Sequence, residues 1–242
     1  MPSKISRFFR APRGFALPLL AATLALAAGT AHATPVLTYT ATDEGSATPP
    51  AGDILQTYTP PTTGSGTIDF GNGTVVTFAN PSGSAYPAQA VNGTVVNQYA
   101  APIAANGQAV TSNYYSTGLG TVNIQFATPQ SYLGLLWGSA DLGNELSFYS
   151  NGNLVGEINT ADFNSTANGN QGVGGSYFIN ADVIGGTFNQ IVASSSFVSF
   201  EFANVEAGST PSSVPEPSSL ALLGAALIAC GVIRQRGFNK SL

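Results

Sequence analysis

The chain has 242 residues, 43% hydrophobic and only 8% charged, with a formal net charge of −5 from seven Lys and Arg against twelve Asp and Glu. Every basic residue (Lys4, Arg7, Arg10, Arg13, Arg234, Arg236 and Lys240) lies near a terminus, whereas every carboxylate lies between Asp43 and Glu216. A central region without side-chain cations cannot neutralise phosphates, which excludes nucleic-acid binding and docking on an anionic membrane surface.

At the N-terminus, Lys4, Arg7, Arg10 and Arg13 precede an apolar run from Phe15 to Ala28 and then Ala31-His32-Ala33. That order predicts a secretory signal peptide over residues 1–33, helical in its apolar part and cut before Thr34, which implies the Sec translocon and signal peptidase as partners. No cysteine stands just after the run, where lipoprotein processing would require one, so that processing is not expected. The only His (His32), Cys (Cys230) and Met (Met1) all fall in the terminal segments. The exported body therefore has no disulfide, thiol or imidazole chemistry, and a domain of ~180 residues must rely on a core that buries roughly 70% of its unfolded surface.

Along the body the hydrophobic pattern has period two. Strands are predicted at Thr67–Phe70, Thr74–Ala79, Thr94–Tyr99, Thr121–Ala127, Tyr132–Trp137, Leu146–Ser150, Leu154–Ile158, Gln190–Ala193 and Phe197–Val205. Asn-Gly pairs beginning at Asn72, Asn92, Asn106 and Asn151 supply residues that tolerate the positive φ of tight hairpin turns. The clearest hairpin joins Leu146–Ser150 to Asn153–Ile158 through Asn151-Gly152. No stretch shows a capped 3.6-residue period. The expected fold is all-β, an antiparallel β-sandwich or jelly-roll-like ectodomain over 34–206 with a linker at 207–213. Gly45 to Gly66, rich in Pro, Thr and Gly, is expected to be a long surface loop. The pentapeptide Asn-Gly-Thr-Val-Val occurs at 72–76 and again at 92–96, which predicts two similar turn-to-strand starts rather than a solenoid.

Candidate chemistry is sparse. Carboxylate pairs such as Asp141 with Glu145, or Asp162 with Glu157, have the residue types of a glycosidase but no cation or imidazole to tune them. A serine triad lacks its base. The alternating oxygen side chains Asp162, Asn164, Thr166 and Asn168 suggest calcium, but Ala167 stands where an EF-hand loop needs Gly and Val173 where it needs Glu. These residues, and Asn72-Gly-Thr74, Asn92-Gly-Thr94 and Asn164-Ser-Thr166, are read as turns. No metal site and no cofactor is expected. Trp137, inside an apolar strand, reads as core. Tyr114 and Tyr115, in a polar stretch, are the candidate ligand contacts, since aromatic faces stack on sugar rings. The row Thr38, Thr40, Thr42 is too short to match an ice lattice.

The C-terminus carries Val214-Pro215-Glu216-Pro217, an apolar run from Leu220 to Ile233, then Arg234 and Arg236. The run is 14 residues, shorter than the roughly 20 that span a bilayer comfortably, and Ser218, Ser219 and snorkelling arginines extend it into a short transmembrane helix over 218–233 with Arg234 and Arg236 as stop-transfer residues. Residues 214–238 resemble the PEP-CTERM signal of Gram-negative bacteria, a tail type also labelled an ice-binding-protein C-terminal domain. The resemblance implies cleavage by an exosortase near the Pro-Glu-Pro, a transient inner-membrane intermediate, and delivery to the cell surface or extracellular matrix. Tyr132-Leu-Gly-Leu-Leu-Trp-Gly-Ser-Ala-Asp141, Asn144–Tyr149, Leu154-Val155 and Phe200–Val205 are similar to a family of cyanobacterial and proteobacterial exosortase-dependent surface proteins. What the resemblance implies is a surface protein that accompanies exopolysaccharide or biofilm, and the body's lack of imidazole, thiol and cationic groups makes the expected protein non-enzymatic. The alternatives are a carbohydrate-binding module of the matrix and, third, a glycan-cleaving enzyme.

Overall fold

The computed structural model describes residues 34–209. The signal peptide expected over 1–33, the sorting tail over 214–238 and its helix at 218–233 lie outside the described residues. Among the described residues no helix is long and apolar enough to cross a membrane.

Thirteen strands and a single helical turn follow one another: β1 Val36–Asp43, β2 Ile54–Thr57, β3 Ile68–Asp69, β4 Val75–Ala79, β5 Gln89–Val91, β6 Tyr114–Ser116, β7 Thr121–Gln130, β8 Tyr132–Gly138, β9 Asn144–Ser150, β10 Asn153–Asn159, α1 Thr160–Phe163, β11 Tyr177–Ile184, β12 Phe188–Ser195 and β13 Glu201–Ser209. They form two sheets. A seven-stranded sheet has the order β1-β11-β8-β13-β6-β5, with β2 pairing the later part of β13 on the edge whose start pairs β6; a six-stranded sheet has the order β10-β9-β12-β7-β4-β3. Every pairing is antiparallel, as short strands joined by tight turns allow. The predicted Asn151-Gly152 hairpin is present, with φ of 50° and 80° at its two turn residues.

The sheets face each other across one apolar core. Leu133, Leu135 and Trp137 of β8, Ile179 and Ala181 of β11 and Phe202 of β13 meet Val76 of β4, Val122 and Ile124 of β7, Phe148 of β9 and Ile191 of β12. The all-β antiparallel sandwich expected from the sequence is thus the fold of the described residues. Tyr115, stacked on Phe202 at 5.0 Å, and Phe126, edge-on to Phe188 at 5.6 Å, add aromatic packing to the burial itself.

The two sheets differ on their outer faces. That of the six-stranded sheet is polar, with Gln190 donating to Asn123 across β12 and β7 at 3.0 Å. That of the seven-stranded sheet is covered: Tyr114, Leu136, Phe178 and Ala203 form a second cluster under Ala47, Ala101 and Ala104. Every residue of β8 is buried for this reason.

Four expectations change. Gly45–Gly66 is not simply a surface loop, because β2 lies inside it, pairing with β13, and Tyr58 is buried with its ring edge-on to Phe70 and Phe126, both at 5.3 Å. The strand expected at 94–99 is a tight turn. The strand expected at 197–205 begins only at Glu201, and β13 runs to Ser209 through residues expected to be linker, because β2 pairs Glu206–Ser209. β1 and β11, which pair along their full lengths, lie where the hydrophobic pattern predicts no strand.

Candidate functional site: a carboxylate cleft beside the seven-stranded sheet

Three segments distant in sequence converge at one end of β8 and β13. The first is the turn after β5. Val95 and Tyr99 exchange backbone hydrogen bonds of 2.9 and 3.1 Å, Asn97 takes the left-handed conformation that reverses the chain (φ 61°), and Thr94 Oγ1 accepts from Ala101 N at 3.1 Å. The second is the corner after β8, where Ala140 N bonds Gly175 O and Gly169 N bonds Ala140 O, so the 169–175 loop packs on it. The third is the approach to β13, with Ser199 and Glu201 flanking Phe200.

Between them lies a cleft of about 350 Å³. Its walls include Asn97, Tyr99, Asp141, Gln171 and Glu201. Val96 and Val198, 79% and 39% exposed, also line it, and the exposed Leu142 and Phe197 adjoin these segments. An amide- and carboxylate-lined hollow with an apolar lip is thus built from residues that sequence order keeps apart.

Glu201 is its most unusual member. Phe200 and Phe202 on either side point into the core, which leaves Glu201 on the opposite face of β13, only 1% exposed. Its Oε1 accepts from Ala100 N at 3.2 Å and from Ser199 Oγ at 2.7 Å, and its Oε2 accepts from Ser139 Oγ. Ser199 also bonds Ser116 Oγ at 2.9 Å. Burial outweighs these donors and pushes the carboxyl up to about 7, so it gains a proton near neutrality. Ser139 takes a left-handed backbone (φ 34°), where glycine would be unstrained, and in exchange presents a hydroxyl to Glu201.

Asp141 faces the same cleft. Its Oδ1 accepts from Gly143 N at 3.0 Å in a local turn, and burial raises its carboxyl above the usual range against that bond. Among the described residues no group of three or more His, Cys, Asp or Glu is placed to hold a metal ion. The 162–168 run bonds itself: Asp162 accepts from Asn159 N at 2.8 Å, and Asn164 Oδ1 accepts from Thr166 N at 3.1 Å.

The residues singled out in the sequence fall differently from expectation. Tyr114 and Tyr115 are both fully buried and are not ligand contacts: Tyr114 donates to Gly93 O at 2.5 Å and Tyr115 to Tyr58 O at 2.9 Å. They are adjacent residues of β6 and so point to opposite faces of a sheet that is covered on both. The aromatic ring at the cleft is Tyr99, half-buried and edge-on to Tyr114 at 6.4 Å. Trp137 is core, as its apolar strand implied, with its ring 4.1 Å from that of Phe200. Asp141 meets Glu201 in the cleft rather than Glu145, which accepts from Ser147 at 3.1 Å. Asp162 caps α1 and Glu157 is exposed on β10. The missed signal was a single carboxylate between two core phenylalanines, since a charge in such a strand needs either solvent or a built environment.

The described body is therefore an antiparallel β-sandwich that carries a polar cleft. Residues 213–236 match the PEP-CTERM protein-sorting motif, so the chain carries that motif shortly after the described body. The motif marks an exosortase-targeted extracellular protein. No curated protein matches the chain.

Proposed function

We propose that the protein is a non-enzymatic component of the cell surface or extracellular matrix, released by an exosortase and associated with exopolysaccharide in a biofilm or floc. The observation that carries this reading is a sorting motif at 213–236 joined to a body without Lys, Arg or His. Such a body offers amides, hydroxyls and aromatic rings to neutral partners but little means of activating a nucleophile. Catalysis by Glu201 is disfavoured because both of its oxygens are engaged by protein donors and it is almost wholly covered. In this reading Ala31, Ala33 and Thr34 form the signal-peptidase site. The 218–233 segment with Arg234 and Arg236 holds a transient inner-membrane intermediate in a Gram-negative host, and cleavage follows near Val214–Pro217.

The test is co-sedimentation of the exported protein with its host's exopolysaccharide, together with an assay for released reducing ends. Retention without release is expected. Sugar release that vanishes in Glu201→Gln or Asp141→Asn overturns the non-enzymatic assignment. For sorting, replacing Pro215-Glu216-Pro217 by three alanines should leave uncut protein in the inner membrane; normal surface delivery of that variant would show that these residues are not the recognised signal.

A further inference from the structure

We infer that the cleft between the 94–101 turn, the 139–141 corner and the start of β13 is a binding site for a short segment of neutral, polyhydroxylated glycan, with Tyr99 as its stacking ring. The inference rests on the association with exopolysaccharide proposed above and names the site and the chemical class it takes.

The geometry supports it in three steps. A volume of about 350 Å³ lies within the range of small-ligand sites, and the hollow combines an apolar lip with a few converging polar groups. Sugar rings present both surfaces at once: axial C–H faces that pack on aromatic and aliphatic groups, and equatorial hydroxyls that both donate and accept. Tyr99 and Val96 supply the first kind of contact. Asn97, Gln171 and the free Oδ2 side of Asp141 supply the second, each able to bond a hydroxyl without needing a charge on it.

The charge pattern selects neutrality. No Lys, Arg or His exists between residues 34 and 209, so a uronate, sulfate or phosphate would meet two carboxyls and no cation. A protonated amine would find one open carboxylate oxygen at most, because Glu201 has both oxygens engaged by protein donors and Asp141 has one committed to Gly143 N, while the other polar groups of the hollow are amides and hydroxyls suited to neutral hydroxyls. The 94–101 turn is held from behind, by Thr94 on Ala101 N and by Glu201 on Ala100 N, so the ring and the lip are positioned before a ligand arrives.

The experiment uses the protein as its host exports it, titrated against a neutral glucan, a neutral galactomannan, a polyuronate and a polyglucosamine, beside retention on the host's own exopolysaccharide. Weak binding to at least one neutral polymer is expected, lost about fivefold in Tyr99→Ala, kept in Tyr99→Phe, and reduced about twofold in Val96→Ser. Val96 is 79% exposed, so its substitution tests the site even where Tyr99→Ala is poorly folded. Leu154→Ser on β10, an exposed residue outside the cleft, should change nothing. Preference for the polyuronate or the polyglucosamine overturns the neutral-glycan assignment. Wild-type retention on the exopolysaccharide that is untouched by Tyr99→Ala and Val96→Ser overturns this site and leaves the association standing. Absence of retention on every polymer overturns both.

Discussion

The same five residues, Asn-Gly-Thr-Val-Val, occur at 72–76 and at 92–96 and meet opposite fates. In the first, Thr74 is fully buried, Val76 is fully buried, and the chain runs on as β4 alongside β7. In the second, Val96 is 79% exposed and the chain reverses at Asn97 to form the lip of the cleft. In both copies the threonine hydroxyl accepts a backbone N–H at 3.1 Å, but from different places: Thr74 Oγ1 from Ala127 N on the neighbouring β7, Thr94 Oγ1 from Ala101 N at the far end of its own turn. The pentapeptide therefore fixes the left-handed glycine of the turn, with φ of 88° at Gly73 and 67° at Gly93, and the residues after it decide the rest. Thr77-Phe78-Ala79 continues the alternation so that β7 can pair with it. Asn97-Gln98 breaks it, and among the described residues no strand is placed to take up Val95 and Val96. The teaching is that local pattern sets a strand's beginning and a partner sets its survival.

The contrast between an interior copy and a cleft copy extends to their surroundings, where it breaks most visibly. Trp137 belongs to the interior, against Phe200 at 4.1 Å and Phe163 at 5.5 Å. Trp137→Ala should lower stability by about 3–5 kcal/mol, read as a shift in denaturant midpoint at unchanged slope. A loss under 1 kcal/mol would mean that the core is not packed as described.

Glu201 belongs to the cleft, and its effect is set by pH. Its folded-state pKa of about 7 lies above the 4.5 of a free glutamate, so the folded protein holds the proton more tightly than the unfolded chain. The resulting stabilisation is complete below about pH 4.5 and is lost as pH rises through 7, an effect of roughly 3 kcal/mol. Asp141, Asp182 and Glu206 are raised in the same direction by burial. Melting temperature should therefore climb on acidification from pH 8 to pH 5. Glu201→Gln, which keeps the shape of the site without the charge, should flatten most of that slope. A wild-type protein that loses stability over this interval would refute the direction, and an unchanged slope in Glu201→Gln would assign it to other carboxyls.

Legibility of the sequence divides along the same line. Strands with several alternating apolar residues, such as β4, β7, β9 and β10, were evident because each half-buried strand writes its two faces in turn. The short β2, β5 and β6 carry too few residues to show a period, and they exist because β13 and β6 supply partners. In β11, Asn180 and Asp182 mask an alternation that is in fact regular. Asn180 is 5% exposed, accepting from Tyr132 Oη and Thr48 N, a role that depends on a loop more than 130 positions away. The cleft was unreadable for the same reason: Tyr99, Asp141 and Glu201 are brought together only by the pairing of β8 with β13 and by the loops laid over them. Tyr114 and Tyr115 misled because their neighbours are polar while their sheet is covered on both faces. The sorting tail was readable without any fold, since an exosortase reads the chain itself.

The smallest expected effect isolates the two copies of the pentapeptide directly. Val76→Ala removes two methyl groups from a fully buried site, a loss of roughly 2 kcal/mol from transfer and residual cavity together. Val96→Ala removes the same two groups from a side chain that is 79% exposed, and its effect on stability should stay within about 0.5 kcal/mol. Because the residues and their preceding four positions are identical, local propensity cancels between the two variants, and the difference in denaturant midpoint reports burial alone. Equal losses at the two positions would show that Val96 is packed in solution and that the 94–101 turn is closed over the cleft. A loss confined to Val76, with glycan retention weakened only by Val96→Ala, would divide the two copies into one that holds the fold and one that serves the site.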